Sequence, residues 1–388
     1  MKALVADGQW LPRADYPVSA VERQQRRAII GSQVWRHPTF EVCDVPVPEI
    51  DGDELLIRVR SCGICGSDLH LYEQDDDGYV LFSGPVRLPC IIGHEYTGVV
   101  QRIGKRVTNF RVGQGVAVES IYWCGVCVAC KSGAFNQCKS VELVGITRNG
   151  AMAEFVAAKE RHCWDIDCLA LRYDGQELFD VGALIEPIGC AYNGMFISGG
   201  GFKPGATVVV YGVGPIGLAA VALARLAGAD MIIAFDCIDS RLEIATTLGA
   251  DYTFNVNSLT DNNVTAAQQV MNLTQGAGAE VQVEAAGAAA YTIAQMQQCV
   301  ATNGKVIYLG RAASTATLTL DRLVTQANSI IGSRGHAGGG VYHYVIRLLA
   351  SGKLNVAPII TARYQFKDVL SAFQKSTDRQ DGKCMIAI

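Results

Sequence analysis

The sequence predicts an α/β protein in two parts, a β-rich first domain and a doubly wound parallel sheet, and three observations carry the prediction. At 388 residues the chain is longer than one hydrophobic core usually grows. Its first part holds short runs of alternating apolar and polar residues between glycines. From about Ala206 the pattern becomes a fully apolar run, a glycine turn, a helical stretch and a further apolar run, which is the repeating unit of a parallel sheet.

In chain order, Glu54-Leu-Leu-Ile-Arg-Val-Arg60 reads as a strand, and Gly98 to Val118 as short strands. Val208-Val-Val-Tyr211 is the first strand of the parallel sheet, Pro215 to Leu226 its helix and Met231 to Phe235 the next strand. Further strands are expected at Val281–Glu284, Lys305–Leu309 and Ser329–Gly332, with a helix over Thr292–Ala301. Tyr342–Ala350 reads as an amphipathic helix. The expected domains are 1–190 and 191–335, with 336–388 packing back on the first.

Composition excludes several classes. The chain is 49% hydrophobic and 18% charged, with a net charge of −4 and no basic patch, so neither nucleic acid nor an anionic membrane is an expected partner. No signal-like apolar leader and no run of about eighteen apolar residues occurs, so a cytoplasmic protein is expected. The 14 cysteines are then expected as thiols or metal ligands. The sequons at Asn263 and Asn272 read as chance matches in such a chain.

Four of those cysteines are clustered. Cys124, Cys127, Cys130 and Cys138 follow at intervals of three, three and eight residues. Short Cys-x-x-Cys links let a turn present two sulfurs to one ion, and four soft ligands close a tetrahedral structural zinc site. An iron–sulfur cluster uses a related spacing, but no proline follows Cys138 and no second cluster motif is present.

Gly212-Val-Gly214-Pro215-Ile216-Gly217 lies between the apolar strand and the helix, the context that gives a glycine pattern meaning. Gly212 makes the turn, Gly214 lets backbone approach a pyrophosphate, and Gly217 packs helix on strand, as in a Rossmann domain. Asp236 ends the next strand, where a carboxylate accepts from both adenosine ribose hydroxyls and repels a 2′-phosphate. NAD is therefore expected rather than NADP, an expectation that Arg241 tempers.

Three further clusters, Cys65-Gly-Ser67-Asp68-Leu-His70, Gly93-His94-Glu95 and Ile185-Glu186-Pro187, gain meaning from their order beside the other motifs. Together they resemble the zinc-containing medium-chain alcohol and polyol dehydrogenases, over nearly the whole chain. The resemblance implies a GroES-like β-rich catalytic domain, an inserted Rossmann domain and a return to the first domain. It also implies two zinc ions per chain, one catalytic and one structural, and a homo-oligomer, dimer or tetramer. By resemblance Cys65 and His94 hold the catalytic zinc, with Glu95 or Glu186 as third ligand. Ser67 would relay the substrate proton toward His70, and Asp68 would orient a ligand histidine. The chemistry suits these residue types, because an open-coordinate zinc lowers the pKa of a bound hydroxyl and so eases hydride loss.

Narrower stretches resemble the cyclitol dehydrogenases of the scyllo-inosose 3-dehydrogenase kind. They are Gly31-Ser-Gln-Val-Trp-Arg36 in an insertion at about 10–40, Asp77-Gly-Tyr-Val-Leu81, Glu186-Pro-Ile-Gly-Cys-Ala-Tyr-Asn193, Gly199-Gly-Gly201 and Gly332-Ser-Arg-Gly-His336. A polyhydroxylated ring, or its keto form, is the substrate this implies. Competing readings are an open-chain polyol, sugar or threonine dehydrogenase, and a non-catalytic zinc- and nucleotide-binding protein. The last predicts loss of Cys65, Ser67 or His94, and all three are present.

Overall fold

A computed structural model describes residues 1–311 and 315–388 of the chain. Two units emerge from it: Met1–Glu186 with Ala362–Asp378 and Lys383–Ile388, and Pro187–Thr361 with Arg379–Gly382. The second unit thus begins at Pro187 rather than at 191, and the chain returns to the first at Ala362 rather than at 336. The helix Val341–Ala350 explains the later return. Its apolar face, Val341, Tyr342, Val345, Ile346 and Leu349, is buried within the second unit.

The first unit is organised around the strand Glu54–Gly63, whose ELLIRVRSCG sequence is buried along most of its length. Glu95–Ile103 runs antiparallel along one side of it. The other side is shared: Phe155–Lys159 pairs with residues 54–58, and Lys383–Ala387 pairs with residues 61–63. The segment Gly98–Val118, expected as short strands, contains the end of Glu95–Ile103 and the strand Gly115–Val118. Behind the sheet, the helix Gly175–Ala183 carries Asp180, which is 1% exposed. Its carboxylate accepts from Ser61 Oγ at 2.7 Å, Gln176 Nε2 at 2.9 Å and Arg363 Nε at 2.8 Å, so burial leaves no uncompensated charge.

The strands Lys2–Trp10 and Trp35–Asp44 pair antiparallel, and residues 11–34 between them form the insertion. Its helix, Ala20–Gln25, begins with a capping box in which Ser19 and Glu22 exchange hydrogen bonds. Buried Trp35 donates from Nε1 to the Val86 carbonyl at 3.1 Å, tying the insertion to the chain at 80–87. Arg13 completes the attachment. It bonds Asp75 and Asp77 and lies 3.9 Å over the Tyr79 ring, so two carboxylates of the acidic loop serve as a clasp.

The second unit is a six-stranded parallel sheet in the order Tyr252–Asn255, Met231–Asp236, Thr207–Tyr211, Ala279–Glu284, Val300–Tyr308, Ser329–Gly332. Counted along the chain this is 3-2-1-4-5-6, the doubly wound dinucleotide-binding topology. Val208 to Val210 are fully buried, as a strand covered on both faces requires. The helix expected over Thr292–Ala301 spans Ala289–Cys299, and Val300 and Ala301 begin the next strand. No helix among the described residues is long and apolar enough to cross a membrane.

Candidate active site and metal centres

The four clustered cysteines converge. Gly125 and Gly133 adopt positive φ of 80° and 81°, the turns that fold the segment back on itself. Cys127 Sγ lies 3.5 Å from Cys130 Sγ and 4.0 Å from Cys138 Sγ, and Cys124 Sγ lies 4.0 Å from Cys130 Sγ. Four sulfurs held about 2.3 Å from one zinc stand about 3.8 Å apart, so the cage fits that ion. Backbone N–H groups, first that of Cys130, lower the Cys127 thiol to about 6, toward the thiolate that a metal needs. Trp123 stacks on Phe135 at 4.3 Å and lies under Arg161, which braces the loop.

A second cluster forms where the strand Glu54–Gly63 gives way to the helix Gly66–Tyr72. Cys65 caps this helix, and its backbone N–H donates to Asp68 at 2.9 Å. Asp68 is fully buried, and its other oxygen stands 3.4 Å from His94 Nδ1. That contact orients the ring and directs Nε2 away from the carboxylate, toward Ser67 Oγ at 3.4 Å. Burial alone would lower the His94 pKa, but Asp68 and Cys65 outweigh it and the net direction is upward. Cys65, His94 and Glu95 each offer a ligand atom, all within 4.8 Å of one another. One soft sulfur, one imidazole nitrogen and one carboxylate oxygen are a donor set for zinc with a coordination position to spare.

Glu186 is not part of that triple. It is buried, and its Oε1 accepts from Ser120 Oγ at 2.9 Å. His70 lies in the same helix as Ser67, half-buried, with its carbonyl accepting from Leu81 and Phe82 N–H.

The residue that the sequence did not single out is Lys383. Its Nζ is 2.7 and 2.5 Å from the two Glu95 oxygens and 3.0 Å from the Ile64 carbonyl. Burial would lower the ammonium's pKa, but Glu95 outweighs it and the net direction is upward. For Glu95 burial dominates and raises the pKa; Lys383 pulls against this, and nearby Glu186 adds to it. Gly63 makes room for the pair, since a Cβ there would stand 2.4 Å from Glu95 Oε2. The only signal in the sequence was a lysine opening an otherwise apolar run, Lys383-Cys-Met-Ile-Ala387.

In the second unit the glycine turn forms a cradle. Gly212 has φ of 82°, and a Cβ on it would stand 2.5 Å from the Ala286 backbone; a Cβ on Gly217 would stand 1.9 Å from the Gly212 carbonyl oxygen. Gly214 caps the helix Pro215–Leu226, and Gly214, Pro215 and Ile216 retain solvent access. A helix N-terminus approached by bare backbone suits a pyrophosphate. Asp236 ends the adjacent strand, 8% exposed, and accepts from Val213 N–H at 2.7 Å, Cys237 N–H at 2.7 Å and Ile238 N–H at 3.0 Å. Arg241 Nε donates to the Asp381 carbonyl at 2.9 Å. Burial lowers the pKa of this guanidinium, with Asp236 opposing.

Two family models match the chain: the alcohol dehydrogenase GroES-like domain over residues 51–167, and the zinc-binding dehydrogenase over residues 215–351. A scyllo-inosose 3-dehydrogenase of Thermotoga maritima is 35% identical over 380 residues, covering 95% of each chain. The chain belongs to the zinc-binding dehydrogenases. An L-threonine 3-dehydrogenase of Bacillus subtilis is 30% identical to this dehydrogenase over 345 residues, covering 88% of the chain and 93% of the relative. A solved structure from Thermotoga maritima, described as an alcohol dehydrogenase, superposes with a TM-score of 0.94 at 33% identity and full coverage of both chains. This dehydrogenase is a zinc-dependent oxidoreductase with a GroES-like and a Rossmann-like domain, and its cofactors are zinc and a nicotinamide dinucleotide.

Proposed function

We propose that this dehydrogenase transfers a hydride between NAD and a secondary alcohol of a cyclitol or related polyhydroxylated ring. The observation that carries the chemistry is the approach of Cys65, His94 and Glu95 within 4.8 Å of one another, with Asp68 behind the imidazole. The substrate class draws on the 35% identity to the scyllo-inosose 3-dehydrogenase over 95% of both chains.

Bound zinc supplies Lewis acidity, which makes a substrate hydroxyl more acidic. Cys65 and His94 would hold it. Glu95 stands within ligand distance, and Glu186 is the second carboxylate candidate, because Lys383 already engages both Glu95 oxygens. Asp68 fixes the His94 ring through Nδ1 and leaves Nε2 as the donor. Ser67 would relay the substrate's proton, through the cofactor ribose, toward His70, three residues on in the same helix. The four thiols 124, 127, 130 and 138 would hold the structural zinc and take no part in the reaction. In the second unit, Gly212, Gly214, Pro215, Ile216 and Gly217 would cradle the pyrophosphate, with Asp236 and Arg241 at the adenosine ribose.

The protein is further proposed to work in the cytoplasm as a homodimer or homotetramer. In support, all 14 cysteines are free thiols, and the strand Ser329–Gly332 leaves an accessible edge on the second sheet.

The test is NAD-linked turnover of inositols and inososes against sorbitol, xylitol and L-threonine. A kcat/KM at least about tenfold higher for the ring substrates is expected, since a pocket built to bond many hydroxyls discriminates strongly. Turnover confined to open-chain polyols or threonine would end the cyclitol reading and leave the dehydrogenase chemistry standing.

A further inference from the structure

We infer that the first unit carries an anion site of its own, a clamp of Arg27 and Arg87 that takes a phosphate group. The clamp shares no residue with the metal clusters or with the glycine cradle.

A short sheet between the insertion and the segment that leads to His94 brings the two arginines together. Arg27–Ala28 pairs antiparallel with Val86–Arg87, and the register sets Arg27 directly opposite Arg87. Side chains directly opposite in such a pair leave the sheet on the same face, with Cβ atoms about 5 Å apart. Ala28 and Val86, the second pair, are fully buried, so the two arginines share the other face. Arg26, one residue earlier, is turned away from them. It lies in the left-handed region at φ 47°, with its guanidinium 5.8 Å over the Trp10 ring and 5.7 Å over that of Trp35.

Like charges placed directly opposite destabilise a sheet, and the chain does not neutralise this pair. Neither side chain forms an ion pair among the described residues. The acids on the flanking segments are committed elsewhere, Glu22 to Tyr16, Ser19 and Ile29, and Glu142 to Arg148. Arg27 gives one donor, Nη2, to the Val141 carbonyl, but its buried Nε has no acceptor. The Arg87 backbone N–H donates to the Ile146 carbonyl at 3.1 Å, which holds the strand in place and leaves the exposed guanidinium unengaged.

An anion seated between the two side chains answers both features, because it screens the like charges and supplies the acceptor that Arg27 Nε lacks. Guanidinium groups take phosphate through paired N–H donors, and a phosphate at about −1.5 to −2 balances two arginines where one carboxylate would not. Free phosphate and a phosphate ester of a polyol present the same oxygens to the clamp.

The test titrates the full chain and Arg87→Gln with sodium phosphate, with NADH present to fill the glycine cradle and ionic strength held constant with chloride. Calorimetry is expected to show one saturable site in the unaltered chain with a Kd of about 1 mM or tighter. Arg87→Gln is expected to weaken that site by about tenfold or more. Without phosphate the variant is expected to melt no lower than the unaltered chain, because it relieves a like-charge contact. Myo-inositol 1-phosphate is titrated alongside: tighter binding than inorganic phosphate assigns the clamp to a phosphorylated ring, and equal or weaker binding assigns it to the free ion. Absence of saturable binding up to about 10 mM phosphate would overturn the inference. So would a variant that melts lower and keeps its phosphate affinity, since Arg87 would then be structural and the ion bound elsewhere. Either of these failures leaves the dehydrogenase reading intact, because neither arginine belongs to the site that carries it.

Discussion

Lys383 and Glu95 form a buried ion pair, 1% and 2% exposed in their side chains, across 288 residues of sequence. A buried pair of this kind adds little net stability over an apolar pair of similar volume, but loss of one partner leaves an uncompensated charge. Lys383→Met is therefore expected to destabilise the first unit by about 3–5 kcal/mol, and Glu95→Leu combined with Lys383→Met to recover most of the loss. Denaturant unfolding of the single and double variants reads this directly. Equal loss in both would show that the pair holds position through its geometry rather than its charge.

Cys65 supplies the sulfur of the three-residue cluster, and no hydrogen bond of the glycine cradle depends on it. Cys65→Ala is expected to reduce kcat by about a thousandfold or more while leaving the NADH dissociation constant within about twofold. NADH fluorescence titration beside steady-state turnover separates the two effects. A parallel loss of NADH affinity would count against the assignment of cofactor and metal to different units.

The two clusters offer two metal sites of different kinds. Elemental analysis of the purified chain is expected to give two zinc ions per chain. Cys127→Ser should remove one of them and lower the melting temperature, because a closed site of four thiolates contributes directly to folding. A chain with one zinc before and after that substitution would show that the thiol cage does not hold the metal.

Glu22 gives the insertion a pH dependence. Burial acts to raise its pKa, but N–H donation from Ile29 and Ser19 and hydrogen bonds from the Ser19 and Tyr16 hydroxyls outweigh it, and the net direction is down from the ordinary 4.5. A depressed folded pKa contributes stability above the unfolded value and loses it as pH falls through the folded one. Hydrogen exchange over residues 13–30 is therefore expected to accelerate below about pH 4.5, relative to the parallel sheet. Glu22→Gln should exchange faster at neutral pH and lose that acid dependence; an unchanged profile would assign the acid sensitivity to another carboxylate.

Local chemistry made much of this arrangement readable from the chain. Val208–Tyr211, Gly212, Gly214, Gly217 and Asp236 lie within one strand–turn–helix–strand stretch, and the four thiols lie within fifteen residues, so spacing alone brought each set together. What stayed hidden depends on distant partners. Lys383 looks like an ordinary surface lysine until the strand carrying it is laid beside Gly63. Arg13 and Asp77, 64 residues apart, reveal a clasp only once the insertion is folded. At Val300 the helical and extended patterns are both apolar, so residue pattern could not set the boundary and sheet pairing decided it.

The divided edge of the strand Glu54–Gly63 has a practical corollary for anyone dissecting the molecule. A fragment cut after residue 186 keeps Phe155–Lys159 but forfeits the segment that covers Ser61 to Gly63. Bare amides and carbonyls would then face outward beside a carboxylate stripped of its counterion, a combination that recruits neighbouring chains and favours aggregation. Excising the first unit in soluble form calls for splicing residues 362–388 back onto it rather than trimming at its apparent border.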